Sequence, residues 1–172
     1  MKDRFTQNPA AHDLWVKGNE LFDSGRAAAA AGKFDEAVRL DPSFAEAWNS
    51  LGLVSYERRD YARAAEMHKR AVLVKPDFVE ALSNLGTDFL FLGRFPDAAA
   101  AFEKVLVLQP DMPEAHNNLG LVYEQLRRTR EAVACYRRFI ELWKGGRRFA
   151  LAAQERIDRL DKGKVSGFGE PL

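Results

Sequence analysis

The chain has 172 residues, 47% of them hydrophobic and 30% charged, and carries a net charge of +1. That balance fits a folded chain and excludes a disordered polymer or a strongly basic binder of polyanions. Cys135 is the single cysteine, so neither an intramolecular disulfide nor a cysteine metal motif can form.

From Met1 to Trp15 there is no apolar core of signal-peptide length, and no later run is long enough to span a bilayer. The expected compartment is a reducing cytoplasm. Residues 1–10 read as a lead-in. From there a period of 34 residues organises the chain. Gly18, Gly52, Gly86 and Gly120 keep it, as do Ala30, Ala64, Ala98 and Ala132, and Pro42, Pro76 and Pro110. Residue types in phase over several copies mark a stacked repeat array, in which each unit buries its apolar face against its neighbours. The units are 11–44, 45–78, 79–112 and 113–146.

Each unit holds two helical patterns joined by a short turn, and short turns force antiparallel neighbours. In the second unit the first helix is predicted over about Ala45–Arg58, with Trp48, Leu51, Gly52 and Ser55 on one face. Asp60 is placed to cap the second helix, which carries Ala64, Met67, His68, Ala71 and Val72 inward. Pro76 ends it, because proline lacks an amide donor. Gly25 and Gly93 supply two of the turns. Ser43 with Glu46, Asp77 with Glu80, and Asp111 with Glu114 have the spacing of reciprocal helix caps. The periodic glycines and alanines permit close helix approach, and Phe34, Trp48, Phe102 and Tyr136 fill the spaces between. Beyond the fourth unit, Phe149, Ala152, Ala153, Ile157 and Leu160 form an apolar stripe. It predicts a capping helix over 147–160, since an array needs a polar-backed cover on its last face. Residues 161–172 are expected to form a loose tail.

Trp48, Leu51-Gly52, Ala64, Ala71 and Pro76 in the second unit, and Leu119-Gly120, Tyr123, Ala132 and Tyr136 in the fourth, resemble the tetratricopeptide repeat. The resemblance runs from Ala11 to about Gly146. Lys17, Val105, Phe139 and Lys144 depart from the family pattern, mostly in the terminal units. The implied fold is all-α: an α-α superhelix, or solenoid, of four repeats plus the capping helix. The implied function is a non-enzymatic adaptor or scaffold whose concave groove, lined by the first helix of each unit, holds a partner peptide or helix.

On that basis the groove residues are Trp15, Asn19, Phe22, Asn49, Ser50, Tyr56, Ser83, Asn84, Thr87, Asn117 and Asn118. Asparagine offers both donor and acceptor and can pair with a peptide backbone regardless of its side chains. Asn84 and Asn118, with Ser50 as a weaker rung, resemble the asparagine ladder of the O-linked sugar transferases. The competing reading is that Asn before Leu-Gly is a common feature of the repeat and only solvates the groove. Trp15, Phe22, Tyr56 and Phe91 are either interface anchors or internal packing, and Trp15 and Phe22 are the stronger interface candidates because no unit precedes the first one to cover them.

The carboxylate clamp of chaperone adaptors does not map onto the chain. Its slots fall on Trp15, Asn19, Ser50, Glu80 and Asn84, or one unit later on Asn49, Leu53, Asn84, Glu114 and Asn118. Neither set offers a cation, and each places a glutamate where one is needed, so no clamp binding of a chaperone tail is expected. Glu46, Glu80 and Glu114 could form an acidic edge, although capping accounts for them more simply.

Self-association through the first-repeat face or the tail is the alternative function. An RNA- or anion-associated role for the basic C-terminal third ranks below it, because the aromatic interleaving of single-strand binders is absent. His12, His68 and His116 occupy different repeat positions, and Cys135 reads as a packed residue. No catalytic, cofactor or metal residues are expected, nor any membrane insertion.

Overall fold

The computed structural model describes residues 8–165. Among them are nine helices and no strand: α1 (Pro9–Asp23), α2 (Ala27–Leu40), α3 (Ala45–Glu57), α4 (Tyr61–Val74), α5 (Val79–Phe91), α6 (Phe95–Leu108), α7 (Pro113–Gln125), α8 (Thr129–Leu142) and α9 (Arg147–Val165). This is the expected pair per repeat plus one. No helix among the described residues is long and apolar enough to cross a membrane.

The helix starts show where local chemistry acts and where packing overrides it. Asn8 caps α1 by accepting from the amides of Ala10 and Ala11 at 3.1 and 3.3 Å, with Pro9 at the first position. Asp60 caps α4 through the Arg63 amide at 3.1 Å. The caps expected at Ser43, Asp77 and Asp111 do not form. The cap residues of α3, α5 and α7 are instead Phe44, Phe78 and Met112, with no side-chain cap hydrogen bond. Phe44 is fully buried, and seating it starts α3 one residue later than the capping pattern requires. Ser43 turns back to Asp41, and Glu46 is released to a different partner.

The intra-repeat turns share one backbone solution. Gly25, Arg59, Gly93 and Arg127 stand at the same repeat position, and all have positive φ, +76°, +60°, +70° and +58°. Glycine takes that conformation at no steric cost, whereas arginine does not.

The chain divides into two compact units, one ending at Gly93 and one starting at Arg94, so the boundary falls inside the third repeat. In the first, each of α1–α5 packs on its sequence neighbour, and α3 also touches α1 and α5. Phe34, Ala37, Phe44, Leu51 and Val54 form a buried core around the first repeat and α3. The second unit stacks α6, α7, α8 and α9 in succession. In both units a ring is seated on the periodic glycine. A Cβ on Gly18 would overlap Phe34, one on Gly52 would overlap His68, and one on Gly120 would lie 2.7 Å from Tyr136.

The last helix continues past the expected end at Leu160 to Val165, with Asp161 3.8 Å from Arg137. The remainder of the expected tail, 166–172, lies outside the described residues, as do residues 1–7. Ala153 and Ile157 are the buried members of the α9 stripe. Phe149 remains 59% exposed, with its ring edge-on to Trp143 at 5.5 Å.

Candidate functional site

In the first unit the polar side chains of α1, α3 and α5, the first helices of successive repeats, are tied to one another. The Trp15 indole donates to Ser50 Oγ at 2.9 Å, and Ser50 donates onward to the Glu46 carbonyl at 3.0 Å. Asn84 donates to Asn49 Oδ1 at 3.1 Å, and Asn49 donates to Glu80 Oε1 at 3.0 Å. Asn49 and Ser50 are consequently buried. First helices of successive repeats approach closely enough for amides on one to reach oxygens on the next, so these side chains staple helices together. Asn84 and Thr87 stay half-buried, and Thr87 bonds back to the Ser83 carbonyl at 3.0 Å. Ser83 Oγ is buried without a partner among the described residues. Asn19 is half-buried on the same row.

The aromatic candidates divide. Trp15 packs edge-on to the buried Phe44 at 5.6 Å, and Phe22 lies against the first-repeat core, which makes both primarily packing residues. Tyr56 belongs to a cluster in which Tyr61 and Phe91 stack at 4.6 Å and 10°, with Tyr56 edge-on to each. Burial, and then the neighbouring Tyr61 and Asp88, push the Tyr56 phenol above its ordinary range. Phe91 keeps about half of its surface exposed.

The second unit carries an open cleft of about 370 Å³. Asn117, Asn118 and Leu121 of α7 form one wall, Phe139 of α8 the floor, and Ala152, Ala153 and Arg156 of α9 the other wall. The capping helix therefore does more than cover an apolar surface. It supplies half of a cleft whose opposite wall holds two of the expected groove amides. Sequence periodicity shows that α9 is amphipathic but not that its edge meets α7.

A charged triad anchors that wall. Glu124 Oε1 accepts from the Tyr136 hydroxyl at 2.5 Å and from Arg156 at 2.9 Å. Burial, followed by the bond to Glu124, raises the Tyr136 phenol far above its usual range, so it remains a donor. Arg156 is thereby committed to the protein.

One buried polar pair was invisible to periodicity. His68 Nδ1 lies 2.6 Å from Asp88 Oδ2, and both side chains are fully buried. His68 occupies the ring slot of Phe34, Phe102 and Tyr136, and Asp88 the slot of Val54 and Val122. The signal was there in the paired departure from the repeat. His68 Nε2 and Asp88 Oδ1 have no partner among the described residues. The pair is sealed against Gly52, with no path to a substrate.

No group of three or more metal-ligating side chains comes together among the described residues. Burial, then Glu103 and Glu131, push the Cys135 thiol up to about 11, which keeps it protonated near neutral pH.

The tetratricopeptide repeat family model matches residues 16–80 and 83–147. No curated protein matches the chain. Among solved structures, MamA is 26% identical, with a TM-score of 0.74 over 78% of this chain and 80% of its own. The first tetratricopeptide domain of Spaghetti (RPAP3), solved bound to the HSP90 peptide SRMEEVD, is 23% identical, with a TM-score of 0.69 over 73% of this chain and 99% of its own. A tetratricopeptide repeat protein from Parabacteroides merdae is 18% identical, with a TM-score of 0.80 over 91% of this chain and 62% of its own. The last two likenesses carry the fold alone. With four helix pairs and one further helix among the described residues, and two family matches that together span most of its length, the chain belongs to the tetratricopeptide repeat family, an all-α solenoid fold typical of protein–protein interaction modules.

Proposed function

We propose that this protein is a non-enzymatic interaction module that holds an extended peptide or a helix of a partner on its first-helix face. The observation that carries this reading is the cleft beside Asn117 and Asn118, where side-chain amides stand over an apolar floor. Amides pair with a peptide backbone, and the floor takes a side chain. In the first unit Asn84 is the half-buried rung, and Asn49 and Ser50 act behind it as internal ties. An acidic chaperone tail of the kind held by the Spaghetti domain is not the proposed ligand, because Glu80 and Glu114 stand where cations would be required.

A photo-crosslinking residue placed at Asn118 should capture the native partner, and one at Lys104, on the exposed face of α6, should not. Capture from Lys104 alone would overturn the reading. Replacing both Asn84 and Asn118 by alanine should weaken that partner roughly tenfold, since each neutral hydrogen bond is worth about 0.5–1.5 kcal/mol.

Self-assembly is a second reading, and a specific observation favours it. Leu73 and Val107, at equivalent ends of α4 and α6, are 80% and 79% exposed. Large apolar side chains exposed to that degree at the same position of two successive repeats are candidates for a contact between copies.

A further inference from the structure

Glutamate recurs at one position of successive repeats as Glu46, Glu80 and Glu114, and the repeat itself shows what that carboxylate takes. Glu46 accepts the Lys75 ammonium at 2.7 Å. Glu80 accepts the Asn49 amide at 3.0 Å. Glu114 forms no hydrogen bond or ion pair with any described residue. The position that supplies Lys75, 29 residues after Glu46, is Trp143 in the fourth repeat. Its indole donates to the Gly146 carbonyl at 3.1 Å and offers Glu114 no cation.

Glu114 stands at the mouth of the cleft between α7, α8 and α9. The other charged lining residue, Arg156, is neutralised by Glu124 at 2.9 Å. Lys144 shares the adjoining cleft with Glu114 but does not pair with it. Within this cleft's own lining the charge left to a ligand is therefore negative, and it sits beside the apolar side chains of Leu121, Phe139 and Ala153.

We propose that this cleft takes a segment of a partner protein in which a lysine or arginine stands beside a large apolar residue. The cation pairs with Glu114, as Lys75 does with Glu46, and the apolar side chain lies over Leu121 and Phe139. Asn117 and Asn118 pair with the backbone between them. This specificity rests on the first-helix face being the binding face. A single carboxylate at a cleft mouth discriminates through charge and is weakened by salt.

The test is random-peptide phage display on the full chain, followed by affinity measurements with a synthetic peptide of the selected sequence. Selected peptides should place Lys or Arg next to Phe, Leu or Trp. Glu114→Gln should weaken the synthetic peptide about fivefold at low salt, the scale of a single exposed ion pair. Glu114→Lys should shift selection toward acidic peptides. Selection without a basic preference, an absence of selected peptides, or equal affinity for Glu114→Gln would overturn the proposal. If binding falls on Asn118→Ala or Leu121→Glu but not on Glu114→Gln, the face binds peptides and only the cation preference is lost. Peptides indifferent to all of these changes would remove both readings.

Discussion

His68 Nδ1 and Asp88 Oδ2 lie 2.6 Å apart in the interior of the first unit, at positions where the other repeats place an aromatic ring and the second and fourth repeats place a valine. Each leaves one polar atom, His68 Nε2 and Asp88 Oδ1, without a partner. A buried pair of this kind is commonly no more stabilising than apolar side chains of the same shape, yet removing one partner alone strands the other. Asp88→Val should therefore lower stability by about 1–3 kcal/mol, as the His68 ring loses its hydrogen-bond partner. Restoring the repeat pattern with His68→Phe and Asp88→Val together should recover that loss, with a gain of up to about 1–4 kcal/mol over the native chain. Urea midpoints of the native chain and these two variants decide the matter. A double variant less stable than Asp88→Val would show that the pair is held for stability.

The same pair makes stability pH-dependent. Burial outweighs the bond to His68 and raises the Asp88 carboxyl above its ordinary range. The folded protein then retains a proton that the unfolded chain releases near pH 4. This contribution is fully present below the ordinary carboxylate range and is lost as pH rises through the raised folded value. Melting temperatures measured from pH 4 to neutrality should show Asp88→Asn losing less stability than the native chain over that interval. Parallel curves would mean that Asp88 titrates equally in both states.

Arg59 and Arg127 hold the left-handed turn conformation that Gly25 and Gly93 hold elsewhere. Arg59→Gly and Arg127→Gly should each stabilise by up to about 1 kcal/mol. Relief of the left-handed penalty exceeds the added entropy of a glycine in the unfolded chain. Thermal melts check this, and lower melting temperatures would point to arginine contacts that outweigh the strain.

The α9 helix is latched through Glu124 to Tyr136 and Arg156 and buries Ala153 and Ile157. Deleting the chain from Arg147 onward should expose Tyr136 and Phe139 and leave Glu124 without its cation. Aggregation and a lower melting temperature are the expected outcome. A monomeric truncation with an unchanged melt would show that the fourth repeat closes on its own.

If copies associate through the exposed ends of α4 and α6, Leu73→Glu with Val107→Glu should abolish concentration-dependent light scattering and leave the melt nearly unchanged. Surface substitutions away from packed features usually shift stability by less than about 0.5 kcal/mol. Scattering that persists in the double variant would move the contact elsewhere.

The 34-residue period of glycine, alanine and proline was sufficient to place the helices, their pairing and the glycine–ring packing, because a repeat states the same local solution several times. It also placed Trp15, Asn49, Ser50 and Asn84 on the first-helix rows. Only the tertiary structure decided what those side chains do there. Whether an inward amide meets a ligand or a neighbouring helix depends on the spacing between helices, which periodicity does not encode, and in the first unit Asn49 and Ser50 meet the neighbouring helix. The failed cap at Ser43 has the same origin, since a one-residue shift that seats Phe44 outweighs a surface hydrogen bond. The cleft of α7, α8 and α9 was likewise out of reach, because it joins residues that come together only when the helices are stacked.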